Sequence, residues 1–420
     1  MRYQAPRGTH DVLPNEVQSW RFVEETFREM CARYGYQEIR TPVFEATELL
    51  TRTSGESSDI VTKQMYTFQV GDESLTLRPE GTAPTIRAYL EHALHAQGPV
   101  CKLFYICPIF RHEAPQAGRY RQHHQVGIEC LGAADAAADA EVITLGHDYL
   151  RAIGISGEAL HLNSVGCPQC RPAYRQTLRE FLQPLLPRLC ADCQRRYEVN
   201  PLRVLDCKNQ TCQTLVVDAP RGLDYLCEEC VAHFAKVRRL LDTLGIGYEL
   251  DPQLVRGLDY YTRTAFEFMH DGLGAQSTVI GGGRYDGLIE ECGGKPTPGV
   301  GFGSGIERAL LIREALQALL PASQVRKVFV ATLGDAAREA GLPLLYELRR
   351  ARLTAEVDYV GRSLKAQMRE ADRQGARFAL ILGDDELAQN VVTLRDLQTH
   401  EQRTVSREQI VSELRRLAAV

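Results

Sequence analysis

The chain lacks any apolar run of about 18 residues, the length a membrane-spanning helix needs, so no such helix and no membrane partner is expected. Its first residues, MRYQAPRGTHDVLPNE, contain no apolar stretch followed by small residues. A secretory leader is therefore not expected, and a cytoplasmic location is. No internal repeat and no low-complexity tract occurs. Nor is there a surplus of positive charge: 49 Lys+Arg against 54 Asp+Glu give a formal charge of −5. That excludes a protein basic throughout, yet leaves room for RNA binding through a local basic face.

What is present is ordinary in bulk and uneven in detail. A length of 420 residues accommodates two or three domains, and apolar and charged fractions of 44% and 25% suit a globular protein. The 13 cysteines are clustered: Cys31, Cys101, Cys107, Cys130 and Cys292 are scattered, and the other eight lie between Cys167 and Cys230, mostly as C-x-x-C pairs. Scattered cysteines read as small buried apolar residues. The clustered ones, in a long chain with no leader, suggest metal ligation more than disulfides.

Apolar spacing predicts a helix over Val17–Tyr34, stopped by Gly35, then a short strand over Gln37–Arg40. Strand-like runs recur at Gln64–Gln69, Ser74–Leu77, Lys102–Arg111 and Arg121–Leu131, with helical stretches near Pro84–Ala96 and Ala136–Ile153. A block of strands with helices around it predicts an α+β domain with a largely antiparallel sheet. From Cys167 to about Leu244 cysteines, prolines and helical patterns dominate; strand and glycine signals return at Leu254–Met269, Gln276–Ile280 and Val300–Gly305. The cysteine-rich part thus reads as an insertion within the first domain. After Pro321 strand and helix alternate: Lys327–Thr332, Ala336–Ala351, Thr354–Tyr359, Ser363–Gln374 and Phe378–Leu382. This predicts a small α/β domain with a partly parallel sheet. The expected division is 1–322, with 164–248 inserted in it, and 325–420.

The stretch FYICPIFRHEAPQAGRYRQHHQVGIECLG reads as two strands joined by a polar loop. Side chains alternate faces along a strand, so Tyr105, Cys107, Ile109 and Arg111 share one face of the first. Arg121, His123, Gln125, Gly127 and Glu129 share one face of the second. Such a polar face lines either a ligand site or a solvated surface.

The same stretch resembles motif 2 of the class II aminoacyl-tRNA synthetases, in the form found in the histidyl-tRNA synthetase family. Further segments agree in order. RGTHDVLP (Arg7–Pro14) resembles that family's N-terminal signature, and GYQEIRTPVFE (Gly35–Glu45) resembles motif 1. LTLRPEGTAPTIRA (Leu75–Ala88) resembles its substrate loop. LVRGLDYYTRTAFEF (Leu254–Phe268) and GGGRYDGL (Gly281–Leu288) resemble its histidine signatures, and GVGFGSGIERAL (Gly299–Leu310) resembles motif 3. The likeness spans nearly the whole chain. LVRGLDYY with RPEGT is highly specific; glycines alternating in a strand are not, because they often only mark close packing.

The resemblance implies a class II catalytic domain, a helical cysteine-rich insertion and a C-terminal α/β anticodon-binding domain. It implies ligation of L-histidine to its tRNA through a histidyl-adenylate, with ATP as co-substrate and Mg2+ neutralising phosphate charge. Adenylation concentrates negative charge on phosphoryl oxygens, where fixed arginines act best. By resemblance Arg111 and Arg256 meet the α-phosphate from opposite sides, and Arg308 lies near adenine and the γ-phosphate. Glu80, Gly81, Thr82 and Gln125 belong to histidine binding, with Glu80, Thr82 and Gln125 accepting from the ammonium. Glu129 and Tyr261, with Tyr260 beside them, are implied for the imidazole. A site that satisfies both imidazole nitrogens rejects other amino acids without an editing domain, and none is recognisable. Motif 1 implies a homodimer joined through the catalytic domains.

One departure concerns the motif 2 loop, implied to read the tRNA's extra 5′ guanosine and acceptor end. Ala114 stands where the family often has arginine, which leaves that contact undefined. In the last domain Arg362, Lys365, Arg369, Arg373 and Arg377 recur every three or four residues. On a helix they would form a basic stripe able to follow a phosphate backbone, or simply a solvated face. Two other functions are weighed. A synthetase-like regulatory subunit of ATP phosphoribosyltransferase would lack the anticodon domain and the full catalytic signature. A zinc-dependent nucleic-acid-binding module would leave the three arginines and RPEGT unexplained.

Structural Zn2+ is the expectation for the insertion, with free thiols as the alternative. Cys167, Cys170, Cys190 and Cys193 fit a four-cysteine spacing, but a helix over Arg171–Leu182 would separate the pairs by about 18 Å. The grouping expected is therefore Cys190, Cys193, Cys207 and Cys212 in one site, and Cys167, Cys170, Cys227 and Cys230 in a second.

Overall fold

In the computed structural model, which describes residues 3–55, 58, 60–116, 118–272, 277–320 and 327–418, the chain divides into two compact units, Met1–Leu320 and Pro321–Val420. The boundary expected between 322 and 325 lies outside the described residues, as does Gln276.

The first unit is built on one eight-stranded sheet. Its spatial order is Gln37–Glu38, Cys101–Phe110, Gln122–Leu131, Gly299–Gly305, Thr278–Arg284, Thr262–Met269, Ala159–Ser164 and Glu249–Leu250. Every pairing is antiparallel except the two at the edges. Alternation sorts the side chains. Phe104, Val126, Ile128, Phe266, Phe268, Ile280, Val300 and Phe302 point to one face, where they bury against helices Val17–Arg33, Ala136–Ala152, Glu228–Thr243 and Ile306–Ala315. Their neighbours in sequence necessarily point to the other face. The helices cover that apolar side, and the opposite side carries polar residues and glycine beside a few apolar ones, Leu103, Cys107 and Ile109.

Two differences from expectation bear on the site. The strand signal over Leu254–Met269 resolves into a loop through Tyr261 and a strand over Thr262–Met269. The helix expected from Pro84 begins at Thr82, because the Glu80 carboxylate accepts hydrogen bonds from the first amides, Thr82 N (2.6 Å) and Ala83 N (2.7 Å). A second, three-stranded antiparallel sheet joins Phe44–Ala46, Glu73–Leu77 and Tyr66–Val70.

Between Ser164 and Glu249 the chain leaves the large sheet. It forms helices Arg171–Leu182, Ala191–Val199, Leu202–Leu205, Gln210–Leu215 and Glu228–Thr243, and a small core of Tyr174, Leu178, Leu182, Leu189, Leu202, Val204 and Val216 with Cys193, Cys207 and Cys212.

The second unit carries a five-stranded sheet in the order Thr354–Val357, Lys327–Thr332, Ala376–Leu382, Val391–Asp396, Gln402–Ser406. The first three strands are parallel and the last two antiparallel to their neighbours. The basic stripe is not what the spacing predicts. The helix spans only Leu364–Arg373, so Arg362 precedes it and Arg377 lies on the following strand. Arg362 pairs with Asp358 and Glu370, Arg373 with Glu370 and Arg377 with Asp396. Lys365 and Arg369 alone of the five have no ion pair among the described residues.

Candidate active site

Strand register gathers the polar faces. Tyr105 pairs with Gly127, Cys107 with Gln125, Ile109 with His123, and Leu103 with Glu129. The next strand places Gly301 opposite Glu129 and Gly305 opposite Gln125, and Gly281 lies between Gly303 and Glu267. The ligand face of the central strands is thus a floor of backbone. A Cβ on Gly301 would overlap the Glu129 carboxylate, one on Gly303 the Gln125 amide, and one on Gly281 the Arg256 guanidinium. The alternating glycines, unspecific as a sequence signal, are what lets these polar side chains lie flat on the sheet.

Above this floor is a cavity of about 290 Å³. Of the residues named from the sequence, Arg111, Arg256, Arg308, Glu80, Thr82, Gln125, Tyr260 and Tyr261 line it. Glu129 lies just beneath, buried, with Thr82 Oγ1 donating to it at 2.7 Å and the Tyr105 hydroxyl at 3.3 Å; the Tyr285 hydroxyl also donates. Gly81 opens the helix that starts at Thr82, and its Cα lies against the Tyr105 ring, where a side chain has no room.

The cavity carries charges of both signs. Arg111 and Arg308 form no ion pair among the described residues. Arg111 Nε donates to Pro79 O (2.7 Å), and Arg308 donates to Gly118 O (3.0 Å) and Thr278 O (2.7 Å). Burial pulls both pKa values down, Arg308's with help from Arg119 and Arg111. Arg256 pairs with Glu267; burial opposes its charge, but Glu267 and Tyr261 outweigh that and raise its pKa. Its Nε–H is buried and has no hydrogen-bond partner among the described residues. Half-buried cations without counter-ions call for an anion. His123 beside them is driven down to about 3 by burial and by Arg111 and Arg308, so it is neutral at physiological pH.

Two carboxyls, Glu80 and Glu129, stand close to each other. Burial raises Glu80, opposed by its amide donors. Burial also pushes Glu129 up to about 8, with the Tyr285 and Thr82 hydroxyls pulling the other way. Both retain acceptor capacity for a cation or an N–H. Three contributors have no role in the sequence reading, although Tyr105 falls on its polar face and Tyr285 and Glu267 within its motifs. Tyr285 and Tyr105 hold Glu129, and Glu267 holds Arg256. Glu267 did carry a signal, a carboxylate in the apolar run Ala265-Phe266-Glu267-Phe268. Tyr285 shows only once register brings it to Glu129.

The eight clustered cysteines gather as the two sets expected from the chain: Cys167, Cys170, Cys227, Cys230 and Cys190, Cys193, Cys207, Cys212. Four thiolates at about 2.3 Å from one tetrahedral zinc stand about 3.8 Å from each other. The Cys167–Cys170 and Cys167–Cys227 sulfurs are 3.7 Å apart, Cys170–Cys230 3.9 Å and Cys190–Cys207 3.8 Å. Amide N–H groups donate to Cys170 (3.2 Å), Cys212 (3.3 Å) and Cys207 (3.4 Å), as they do around ligating thiolates. Both sets fit a tetrahedral metal with no open position.

Comparison with known proteins agrees with this geometry. A family profile described as Histidyl-tRNA synthetase matches residues 8–309, and one described as Anticodon binding domain matches 327–417. A histidine–tRNA ligase of Desulforamulus reducens is 53% identical over 407 residues, 97% of each chain. The crystal structure of apo histidyl-tRNA synthetase from S. aureus superposes with a TM-score of 0.83 at 39% identity, covering 98% of this chain and 99% of that one. A Bacillus halodurans chain described as an ATP phosphoribosyltransferase regulatory subunit/histidyl-tRNA synthetase shares the fold at 22% identity (TM-score 0.64, 91% and 98% covered).

Proposed function

The chain belongs to the histidyl-tRNA synthetase family, and from that premise we infer that it ligates L-histidine to its cognate tRNA with ATP, by way of a histidyl-adenylate. The observation that carries the reading is one cavity that gathers half-buried arginines, two of them without an ion pair among the described residues, with carboxyls held by amide and hydroxyl donors. Triphosphate suits the arginines; the ammonium and imidazole of histidine suit the carboxyls.

In the activation step a carboxylate oxygen of histidine bonds to the α-phosphorus of ATP, and the bond to pyrophosphate breaks. Arg111 and Arg256 hold the α-phosphate oxygens, the free Nε–H of Arg256 being one donor. Arg308 holds the far phosphate and adenine. Glu80, Thr82 and Gln125 accept from the ammonium, next to the backbone of Gly81. Glu129 accepts an imidazole N–H, with Tyr261 and Tyr260 closing that pocket. Magnesium, when bound, neutralises phosphate charge. Glu113, which lines the cavity, is paired with Arg119, and Glu267, which lines the neighbouring cleft, with Arg256. In the second step a terminal ribose hydroxyl of the tRNA attacks the acyl carbon and AMP leaves.

On this reading residues 1–322 are the catalytic domain, 164–248 its insertion and 325–420 the anticodon-binding domain. Each four-cysteine set holds one structural Zn2+ in a cytoplasmic enzyme. The enzyme is a homodimer. Val43, Phe44, Phe68 and Val70 leave an apolar patch exposed on the motif 1 side, with the Phe44 and Phe68 rings 6.4 Å apart. The regulatory-subunit reading is disfavoured by the anticodon-binding match and by the complete arginine set.

Histidine-dependent exchange of labelled pyrophosphate into ATP tests the reading. A regulatory subunit or a zinc-dependent nucleic-acid binder would show none.

A further inference from the structure

The loop that carries Arg256 is fastened to the cysteine-rich insertion. Arg203 Nη1 donates to the carbonyl oxygen of Arg256 itself (2.6 Å), and Asn200 Nδ2 donates to Asp259 Oδ1 (2.7 Å). Both donors sit in the stretch closed between Cys193 and Cys207, Arg203 on the one-turn helix Leu202–Leu205. At the other end of the loop Arg171, next to Cys170, donates to Tyr261 O, while Arg263 N donates to Gly166 O (2.9 Å) and Val165 N to Arg263 O (2.7 Å). The catalytic loop is therefore held by residues that flank cysteine ligands of both sets.

The nearer set also opens towards the site. Cys190 and Cys207 line a cleft of about 710 Å³ together with Arg203, Arg111, Glu267 and Thr278. Cys193, Cys207 and Cys212 belong to the same small core as Leu202, Val204 and Leu205 of the helix that carries Arg203. A module of that size depends on its metal for a fixed shape. Metal on these sulfurs would fix the packing of the helix that presents Arg203.

We propose that the Cys190, Cys193, Cys207 and Cys212 site positions Arg256 through Arg203, so that metal in the insertion and substrates in the cavity bind cooperatively. Arg203 is a positioning residue: it touches the backbone of Arg256, not the phosphate. The proposal rests on the adenylation reading above. Coupling between two sites is reciprocal. Filling the cavity must then raise the affinity for the metal, which leaves more slowly where its association rate is unchanged.

The test uses the full chain loaded with zinc. Release to a chromogenic chelator is followed with and without ATP plus histidinol, which has the ammonium and imidazole but no carboxylate to adenylate. Release of one of the two ions is expected to slow roughly fivefold or more with both ligands present. In Arg203→Met the zinc content stays, the ligand effect disappears, and kcat for exchange falls about 10- to 100-fold with the histidine KM within about twofold, a split expected when transition-state contacts alone are disturbed. Arg203→Lys, which keeps a donor, recovers part of kcat. Release indifferent to the ligands in the unaltered chain overturns the coupling, as does Arg203→Met at full kcat or a chain without zinc. If Arg203→Met does not fold, the release rates of the unaltered chain decide. Absent exchange by the unaltered chain would overturn the reading of the reaction; exchange with unresponsive zinc release overturns the coupling alone.

Discussion

Arg256 combines an ion pair to Glu267 with a buried Nε–H that has no partner among the described residues. Its charge is fixed before substrate arrives, and one donor is left for the phosphate. Arg256→Ala is expected to lower pyrophosphate exchange by 10²–10³-fold, about 2.7–4 kcal/mol of lost transition-state stabilisation, with the circular dichroism spectrum unchanged. Near-normal exchange by the folded variant would remove Arg256 from the reaction. Glu129→Gln is expected to raise the histidine KM far more than the ATP KM, since the amide presents donors where an acceptor is needed. Equal effects on both would make Glu129 a structural group. Its stability effect has a defined sign. Burial raises the Glu129 pKa from 4.5 to about 8 in the folded chain. Below the ordinary value both states hold the proton; as pH rises the unfolded chain releases it first, and stability declines until about pH 8. A glutamine escapes this, so the Tm of Glu129→Gln relative to the parent should climb between about pH 5 and 8. A difference flat with pH would contradict the burial cost. The arginines were legible in the sequence because their motifs are, and their convergence in one cavity follows. Tyr285 and Tyr105 were not legible as partners of Glu129, because no local pattern encodes which hydroxyl a fold brings to a buried carboxyl.

Among elements, alternation in the long strands could be read directly: the polar faces of Cys101–Phe110 and Gln122–Leu131 coincide as period-two spacing requires. The cysteine sets could be read as well, because helix Arg171–Leu182 forbids the grouping that spacing alone suggests. The basic stripe failed for a physical reason. Recurrence every three or four residues marks a helix face only where a helix persists, and this one ends at Arg373; acidic partners from neighbouring turns and strands then claim three of the arginines. The loop through Tyr261 was misread as strand because its apolar residues pack against neighbouring elements rather than along a sheet. For the cysteine elements, protein purified without chelators is expected to carry two zinc ions per chain, and Cys212→Ser one. A zinc content near zero would mean that the sulfurs are free thiols.

For the molecule as a whole, the exposed Phe44 and Val70, 49% and 56% accessible, lie on the three-stranded sheet that follows the motif 1 segment. Sedimentation at micromolar concentration should give a dimer, and Phe68→Glu should shift it towards monomer by setting a charge in the patch. A monomer from the unaltered chain would reject the homodimer. Histidine ligation itself is tested most directly by charging purified tRNA with each of the twenty amino acids in turn. Only histidine should become attached, in an ATP-dependent reaction, because Glu129 and its three hydroxyl donors sit where a side chain with two polar nitrogens is needed. Attachment of a different amino acid, or of none, would contradict it.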